Sequence, residues 1–243
     1  MPTVKTYTYH KFGDHCVCFG IIKEWTKWYD RIECYSDATD ENTFNTNKRL
    51  YSGIKEVVLF PEQYVEEIHK ADHAIAHTCM WFNQVMPWLL DNSLPAPDWF
   101  DESWIFDRQW YFNAGFPLSL KWDNFYFDRD LKKEKEIFYD MLDLKDKEEF
   151  IFLHEDTSRN MSIDRKYINP NIKLVEFSKL QDINILDVLY IVEKSKEVHT
   201  FNTGTLTFID LMNIQHNNLN YHKYVRPMPF DQPALRLNWN IIT

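Results

Sequence analysis

The stretch from Glu197 to Met212 constrains the fold more than any other part of the chain. A β-like run, Glu197-Val198-His199-Thr200-Phe201, stops at the polar turn Asn202-Thr203-Gly204-Thr205, and an apolar helical pattern follows at once. The same order recurs elsewhere. Strand-like runs at Val4 to His10, Arg31 to Tyr35, Ile54 to Phe60, Phe150 to His154 and Ile172 to Phe177 alternate with helical patterns. Strands alternating with helices give an α/β fold built on parallel sheets, with binding sites outside the carboxyl ends of the strands. A strand that ends in small hydroxyl residues and opens a helix also suits a phosphate. The first helical N–H groups and the positive end of the helix dipole both point at the anion.

Composition narrows the class. Hydrophobic residues make up 44% and aromatic residues 16% of 243 residues, and there are only 5 glycines, which indicates a substantial core and no flexible linker. The net charge of −10 argues against a general nucleic-acid binder, because neutralising phosphates needs clustered Lys and Arg. Cys16 and Cys18 form C-x-C, with Cys34 and Cys79 apart from them, a pattern of reduced, buried thiols. The start, Met1-Pro2-Thr3-Val4-Lys5, lacks a signal pattern, and no run reaches the roughly 18–20 apolar residues of a membrane span. The expectation is a cytoplasmic protein with no integral membrane segment.

The helical readings are His15 to Tyr29, with Val17, Ile21, Ile22, Trp25 and Trp28 inward; Pro61 to about His77; Met80 to Leu90; and Trp104 to Ala114. A charged helix is expected from Asp130 to Leu142, with Leu131, Phe138, Met141 and Leu142 inward. Ser36 to Arg49 reads as a loop or poorly regular segment, Asn124 to Phe127 as a short strand or extended entry, Leu186 to Ser195 as a helix and Asn220 to Tyr224 as the last strand. The domain boundary falls near Gly115 to Lys121, dividing the chain into residues 1–118 and 119–243.

Three strand-to-loop junctions carry candidate chemistry. Gly13-Asp14-His15 follows the first strand; its carboxylate could take a proton from a substrate hydroxyl or could cap the next helix. After the strand at 150–154 come Glu155-Asp156-Thr157-Ser158-Arg159, where Thr157, Ser158 and Arg159 could meet phosphate oxygens, with Arg165 and Lys166 nearby. The third junction is Asn202, Thr203, Gly204 and Thr205.

Other clusters have a simpler reading. Asp128-Arg129-Asp130 is a D-x-D that could hold a hard divalent cation, yet aspartate at a first helical turn also suits the dipole. His69, His73 and His77 share a helix face, but the outer pair is about 12 Å apart at 1.5 Å per residue, so three cannot share one ion. The aromatic residues between Trp81 and Phe112 suit a core or a sugar-stacking surface.

These junctions resemble one family. Phe12-Gly13-Asp14 before an apolar helix is similar to the Gly-Asp turn of GT-B glycosyltransferases of the ADP-heptose:LPS heptosyltransferase kind. Phe152 to Arg159 resembles the strand and Thr-rich loop that opens their donor domain, and Asn202-Thr203-Gly204-Thr205 resembles their Asp-Thr-Gly segment. Asn202 stands where the family has Asp, and Thr207 where it has His. The resemblance implies two Rossmann-like domains facing a central cleft, with an acceptor domain first and a nucleotide-sugar domain second. It implies Asp14 as general base, with His15 positioned to aid it. Thr157, Ser158, Arg159, Asn202, Thr203, Gly204 and Thr205 would bind the donor diphosphate or ribose. Transfer to a glycan, lipid-linked or other hydroxyl acceptor would invert the sugar and need no metal and no cofactor. The alternatives are a carbohydrate- or nucleotide-sugar-binding protein without turnover, or a metal-dependent GT-A-type transferase using Asp128 and Asp130.

Overall fold

A computed structural model describes residues 3–8, 11–36, 41–61, 74–75, 106–156, 159–180, 182–227 and 232–243. The chain separates into two compact units. Residues 1–126 and 229–234 form the first, and residues 127–228 and 235–243 form the second.

In the first unit β1 (Thr3–Thr8) leads through α1 (Phe12–Trp25) to β2 (Arg31–Ser36), and α2 (Glu41–Leu50) leads to β3 (Val57–Pro61). A two-residue strand, β4 (Ala74–Ile75), completes a parallel sheet in the order β3-β2-β1-β4. Then come α3 (Phe106–Asn113) and α4 (Leu120–Asp123). Helix α1 is buried from His15 through Ile22 because α2, α3 and α4 all pack on it. Val17, Ile21, Ile22 and Trp25 are inside as expected, but Trp28 lies beyond the helix end and is 54% exposed. Gly20 permits the closest approach: a Cβ there would overlap both the Leu120 carbonyl of α4 and the Tyr111 hydroxyl of α3.

The first compact unit runs on to residue 126. Gly115 does carry a turn signal, but it adopts φ 74° to close α3, the position where glycine ends a helix without steric cost. The chain then returns to the same unit. Asn124 Nδ2 donates to Gly20 O at 3.1 Å and to Glu24 Oε2 at 2.9 Å. The Lys121 ammonium, 0% exposed, reaches the Asp107 carboxylate and the Ala234 carbonyl, each at 2.6 Å. Ala234 N donates back to Asp107 at 2.9 Å, so one buried pair anchors the returning segment as well.

The second unit holds α5 (Leu131–Glu136), which continues as a π-helical turn over Ile137–Met141, then β5 (Phe150–Leu153) and β6 (Lys173–Glu176). After α6 (Leu189–Lys194) come β7 (Glu197–Thr200), α7 (Gly204–Leu211), β8 (Leu219–His222) and β9 (Asn240–Ile242). The order is β6-β5-β7-β8-β9 and every pairing is parallel. Phe150, Ile151, Phe152 and Leu153 are all 0% exposed, the pattern of a strand covered on both faces. The buried Asp210 of α7 fixes the last strand. It accepts the amides of Arg236 and Leu237 and the Trp239 indole N–H at 2.9–3.1 Å.

Several expectations are corrected. Glu41–Leu50 is a helix, not a loop; its polar composition reflects a largely exposed face. Of the two readings of 124–127 the strand does not form, and β9 was not anticipated because it is only three residues long. In the charged helix Phe138 is buried, but Leu131 and Met141 are 49% and 54% exposed. Leu131 is the first residue of the helix, and the π turn over Ile137–Met141 adds a residue per turn and carries Met141 out of the expected phase. Of the helix expected over Pro61 to His77, Pro61 instead ends β3 and Ala74–Ile75 form β4, while the rest lies outside the described residues, as does the helix expected over Met80 to Leu90. Among the described residues no helix is long and apolar enough to cross a membrane.

Candidate functional site

The carboxyl ends of β5 and β7 in the second unit carry two of the three junctions. Strand β7 ends at Thr200; Phe201 and Asn202 are buried, and Thr203 is the N-cap residue of α7, with extended dihedrals of φ −143° and ψ 170°. The Thr207 amide bonds back to Thr203 O at 3.3 Å, which leaves the preceding helical amides without an intrahelical acceptor. A threonine at this position ordinarily turns its hydroxyl onto one of them. Thr203 does not: its side chain makes no cap, and Oγ1 lies 3.2 Å from His154 Nδ1. The Thr205 hydroxyl, on a residue 2% exposed, makes no hydrogen bond to a described residue.

His154 follows β5 directly and extends its ladder, donating N–H to His199 O at 2.9 Å. Its ring lies against Phe177 (centroids 5.3 Å apart) and parallel to Phe201 (6.5 Å). Burial pushes the imidazole pKa down to about 4, against the opposing pull of the Asp156 and Glu155 charges, so the ring is neutral at pH 7.

The loop after His154 is less anionic than its sequence reads. Glu155 is held by both Arg165 guanidinium nitrogens at 2.7 and 2.9 Å and by the Ile163 amide at 2.6 Å. Burial alone would raise its carboxyl pKa; those donors hold it below the usual carboxylate range. Arg165 is therefore tied to Glu155 rather than open to a phosphate. Arg159 pairs with Asp156 at 2.5 Å, with its side chain half exposed. Thr157 and Ser158 lie outside the described residues.

A second buried cluster crosses the neighbouring strands. His199 Nε2 meets Glu197 Oε2 at 3.0 Å, and its Nδ1 meets His222 Nε2 at 2.9 Å. Glu197 fixes His199 as the Nε2–H tautomer, so His199 Nδ1 accepts from His222 Nε2–H. His222 Nδ1 is left as a buried lone pair with no partner among the described residues. Tyr167 and Tyr224 pack edge-on against its ring, and burial pushes its pKa down to about 4.

In the first unit Asp14 occupies the first turn of α1, half-buried, with its amide on Lys11 O at 3.0 Å. The N-cap is Lys11, so Asp14 is not the helix cap that its position suggested; the dipole still favours its charge. His15 is the next residue. It is 0% exposed, with Nε2 2.8 Å from Ser36 Oγ and Nδ1 3.2 Å from Tyr51 Oη. Tyr51 donates its hydroxyl proton to His15 O, so His15 Nδ1–H donates to Tyr51 and Nε2 accepts from Ser36, whose oxygen takes the Asn47 amide. Both ring nitrogens hold the start of α1 in place.

Of the competing clusters, Asp130 caps α5 by accepting the Lys133 amide at 3.0 Å, and Arg129 bridges Glu134 and Glu193. Among the described residues no group of three His, Cys, Asp or Glu side chains is placed to hold a metal ion. His69, His73, His77 and the aromatic residues from Trp81 to Trp104 lie outside the described residues. Trp110 and Tyr111 are core, and Phe112 is 65% exposed.

His154, His199 and His222 were not singled out from the sequence. Each stands at or near the end of a β-like run, the one signal that could have marked them.

Two α/β units with parallel sheets are the fold of the GT-B heptosyltransferases. The match is to solved structures. The chain is similar to the ADP-heptose LPS heptosyltransferase II of E. coli, with a TM-score of 0.54 at 10% identity over 100% of this chain and 90% of that one. It is also similar to a glycosyl transferase family 9 protein of Veillonella parvula, with a TM-score of 0.50 at 10% identity over 90% and 80% of the two chains. No family model matches the sequence, and no curated protein matches it.

Proposed function

We propose that this protein is a glycosyltransferase that moves a sugar from a nucleotide-sugar to a hydroxyl acceptor. The observation that carries the reading is the start of α7. A Thr-Gly-Thr turn at the carboxyl edge of a parallel sheet leaves its helical N–H groups uncapped, in a fold of the heptosyltransferase kind. Such a terminus binds a diphosphate through amide hydrogen bonds and the helix dipole.

In this reading the Gly204 and Thr205 amides and the Thr203 and Thr205 hydroxyls meet the donor diphosphate, joined by Thr157, Ser158 and Arg159. Arg159 would exchange its Asp156 partner for phosphate oxygens. Asn202 hydrogen-bonds phosphate or ribose without charge. Asp14 accepts the acceptor's hydroxyl proton as that oxygen attacks the anomeric carbon. The carbon–oxygen bond to the diphosphate breaks on the opposite face, and the sugar inverts. Donors already in place around the leaving diphosphate stabilise its growing charge, with no metal in the scheme. His15 serves Asp14 indirectly, by fixing the first turn of α1.

A binding protein that keeps the fold without turnover is the second reading, favoured by Asn202 and Thr207 standing where the family has Asp and His. Asp14→Asn separates the two. The transferase reading expects donor affinity within about threefold of the parent and turnover down by at least about 100-fold, the scale of a lost general base. Equal turnover in the variant would sink it.

A further inference from the structure

The N-terminus of α7 is open because its own cap residue is turned away from it. Thr203 stands in the capping position with capping dihedrals, yet its hydroxyl is held 3.2 Å from His154 Nδ1. Three features fix the imidazole that holds it. The His154 amide is in the β-ladder with His199, Phe177 lies on one side, and Phe201, two residues before Thr203, lies parallel to the ring. The contact also joins two strand-end junctions, since His154 follows β5 and Thr203 precedes α7. Beside them Thr205 is 2% exposed, and its hydroxyl makes no hydrogen bond to a described residue.

We infer that His154 is a positioning residue for the diphosphate: it withholds the Thr203 hydroxyl from the helix cap and presents it, with the free amides of α7, to the anion. This inference rests on the donor-binding reading above. The hydrogen-bond logic is specific. A hydroxyl has one proton. If Thr203 gives that proton to the anion, His154 must be the Nδ1–H tautomer and donate to Oγ1. If the Nε2–H tautomer holds instead, Thr203 donates to Nδ1 and offers the anion only lone pairs. Binding a diphosphate therefore selects the Nδ1–H tautomer. Burial keeps the ring neutral near pH 7, with Asp156 and Glu155 the charged groups that oppose it.

The test is calorimetric titration with inorganic pyrophosphate of the full chain and of three variants. His154→Phe keeps the stacking ring but lets Thr203 fall back onto the cap. Affinity should drop about tenfold, about 1.4 kcal/mol, while the melting temperature does not fall. His154→Asn, whose amide reaches about where Nδ1 lies, should stay within about threefold of the parent. Thr203→Val should lose affinity about as much as His154→Phe, and the double variant no more than either alone. In ¹⁵N-histidine spectra pyrophosphate should move His154 to the Nδ1–H form. Parent-like affinity in His154→Phe overturns the positioning role while leaving the donor reading intact. So do additive losses in the double variant, or equal losses in the Phe and Asn variants with a falling melting temperature. If the parent binds neither pyrophosphate nor any nucleoside diphosphate, the donor reading itself fails and this inference with it.

Discussion

Acid should destabilise this protein well above the range where carboxylates titrate. His154 and His222 have folded-state pKa values of about 4, against an ordinary value of 6.5 in the unfolded chain. Burial also lowers His199, which shares a proton with His222. Between these values the unfolded chain binds protons that the folded chain refuses. The stability these residues contribute is complete above pH 6.5 and is lost as pH falls toward 4. For one such histidine the loss between pH 7 and pH 5 is about 2 kcal/mol, and for the two about 4 kcal/mol. That is a large part of a typical domain stability of roughly 5–15 kcal/mol. Glu155, whose carboxyl is held low by Arg165, adds its loss only below its ordinary value, outside this window. Urea unfolding followed by tryptophan fluorescence at pH 7 and pH 5 measures the difference directly. His154→Phe should recover about 2 kcal/mol of the loss because one proton-refusing site is gone. A parent stability that is flat from pH 7 to 5, or a variant with the full loss of the parent, would refute the reasoning.

Two substitutions probe the first unit by the same urea assay. Gly20→Ala drives a methyl into the Leu120 carbonyl, a backbone group that cannot swing aside, and should cost about 1–3 kcal/mol; a neutral result would mean that α4 does not approach α1 so closely. Lys121→Met leaves the fully buried Asp107 carboxylate without its cation and should cost about 3–5 kcal/mol, whereas adding Asp107→Leu should restore much of the loss; no recovery in the double variant would assign the effect to packing instead.

The sequence carried the strands better than the helices. Phe150 to Leu153 and Glu197 to Thr200 are short apolar runs bounded by polar turns, a local signal that needs no partner to be read. Helix α2 escaped because Asn42, Asn45 and Asn47 weaken its propensity, and Leu50 and the buried Asn47 are satisfied only by the surrounding unit. The phase of α5 failed at a π turn, which no periodic template contains. The return of Ala234 to the first unit was hidden because the Asp107–Lys121 pair holds it across about a hundred residues of sequence. The candidate site shows the same limits. Asp14 and the 202–205 turn were legible as residues at strand ends. That Glu155 and Asp156 are matched by Arg165 and Arg159, that both His15 nitrogens are occupied, and that His154 diverts Thr203 are contacts between distant segments. Spacing alone does not encode them.

The central claim is that α7 begins a nucleotide-sugar site. The most direct measurement is the thermal shift of the full chain against a panel of nucleoside diphosphates and nucleotide-sugars, with and without Mg²⁺. At 100 times its dissociation constant the right donor should stabilise the fold by about 2.7 kcal/mol, with or without the metal. No shift with any member of the panel would contradict the account, and a shift appearing only with Mg²⁺ would move donor binding toward Asp128 and Asp130.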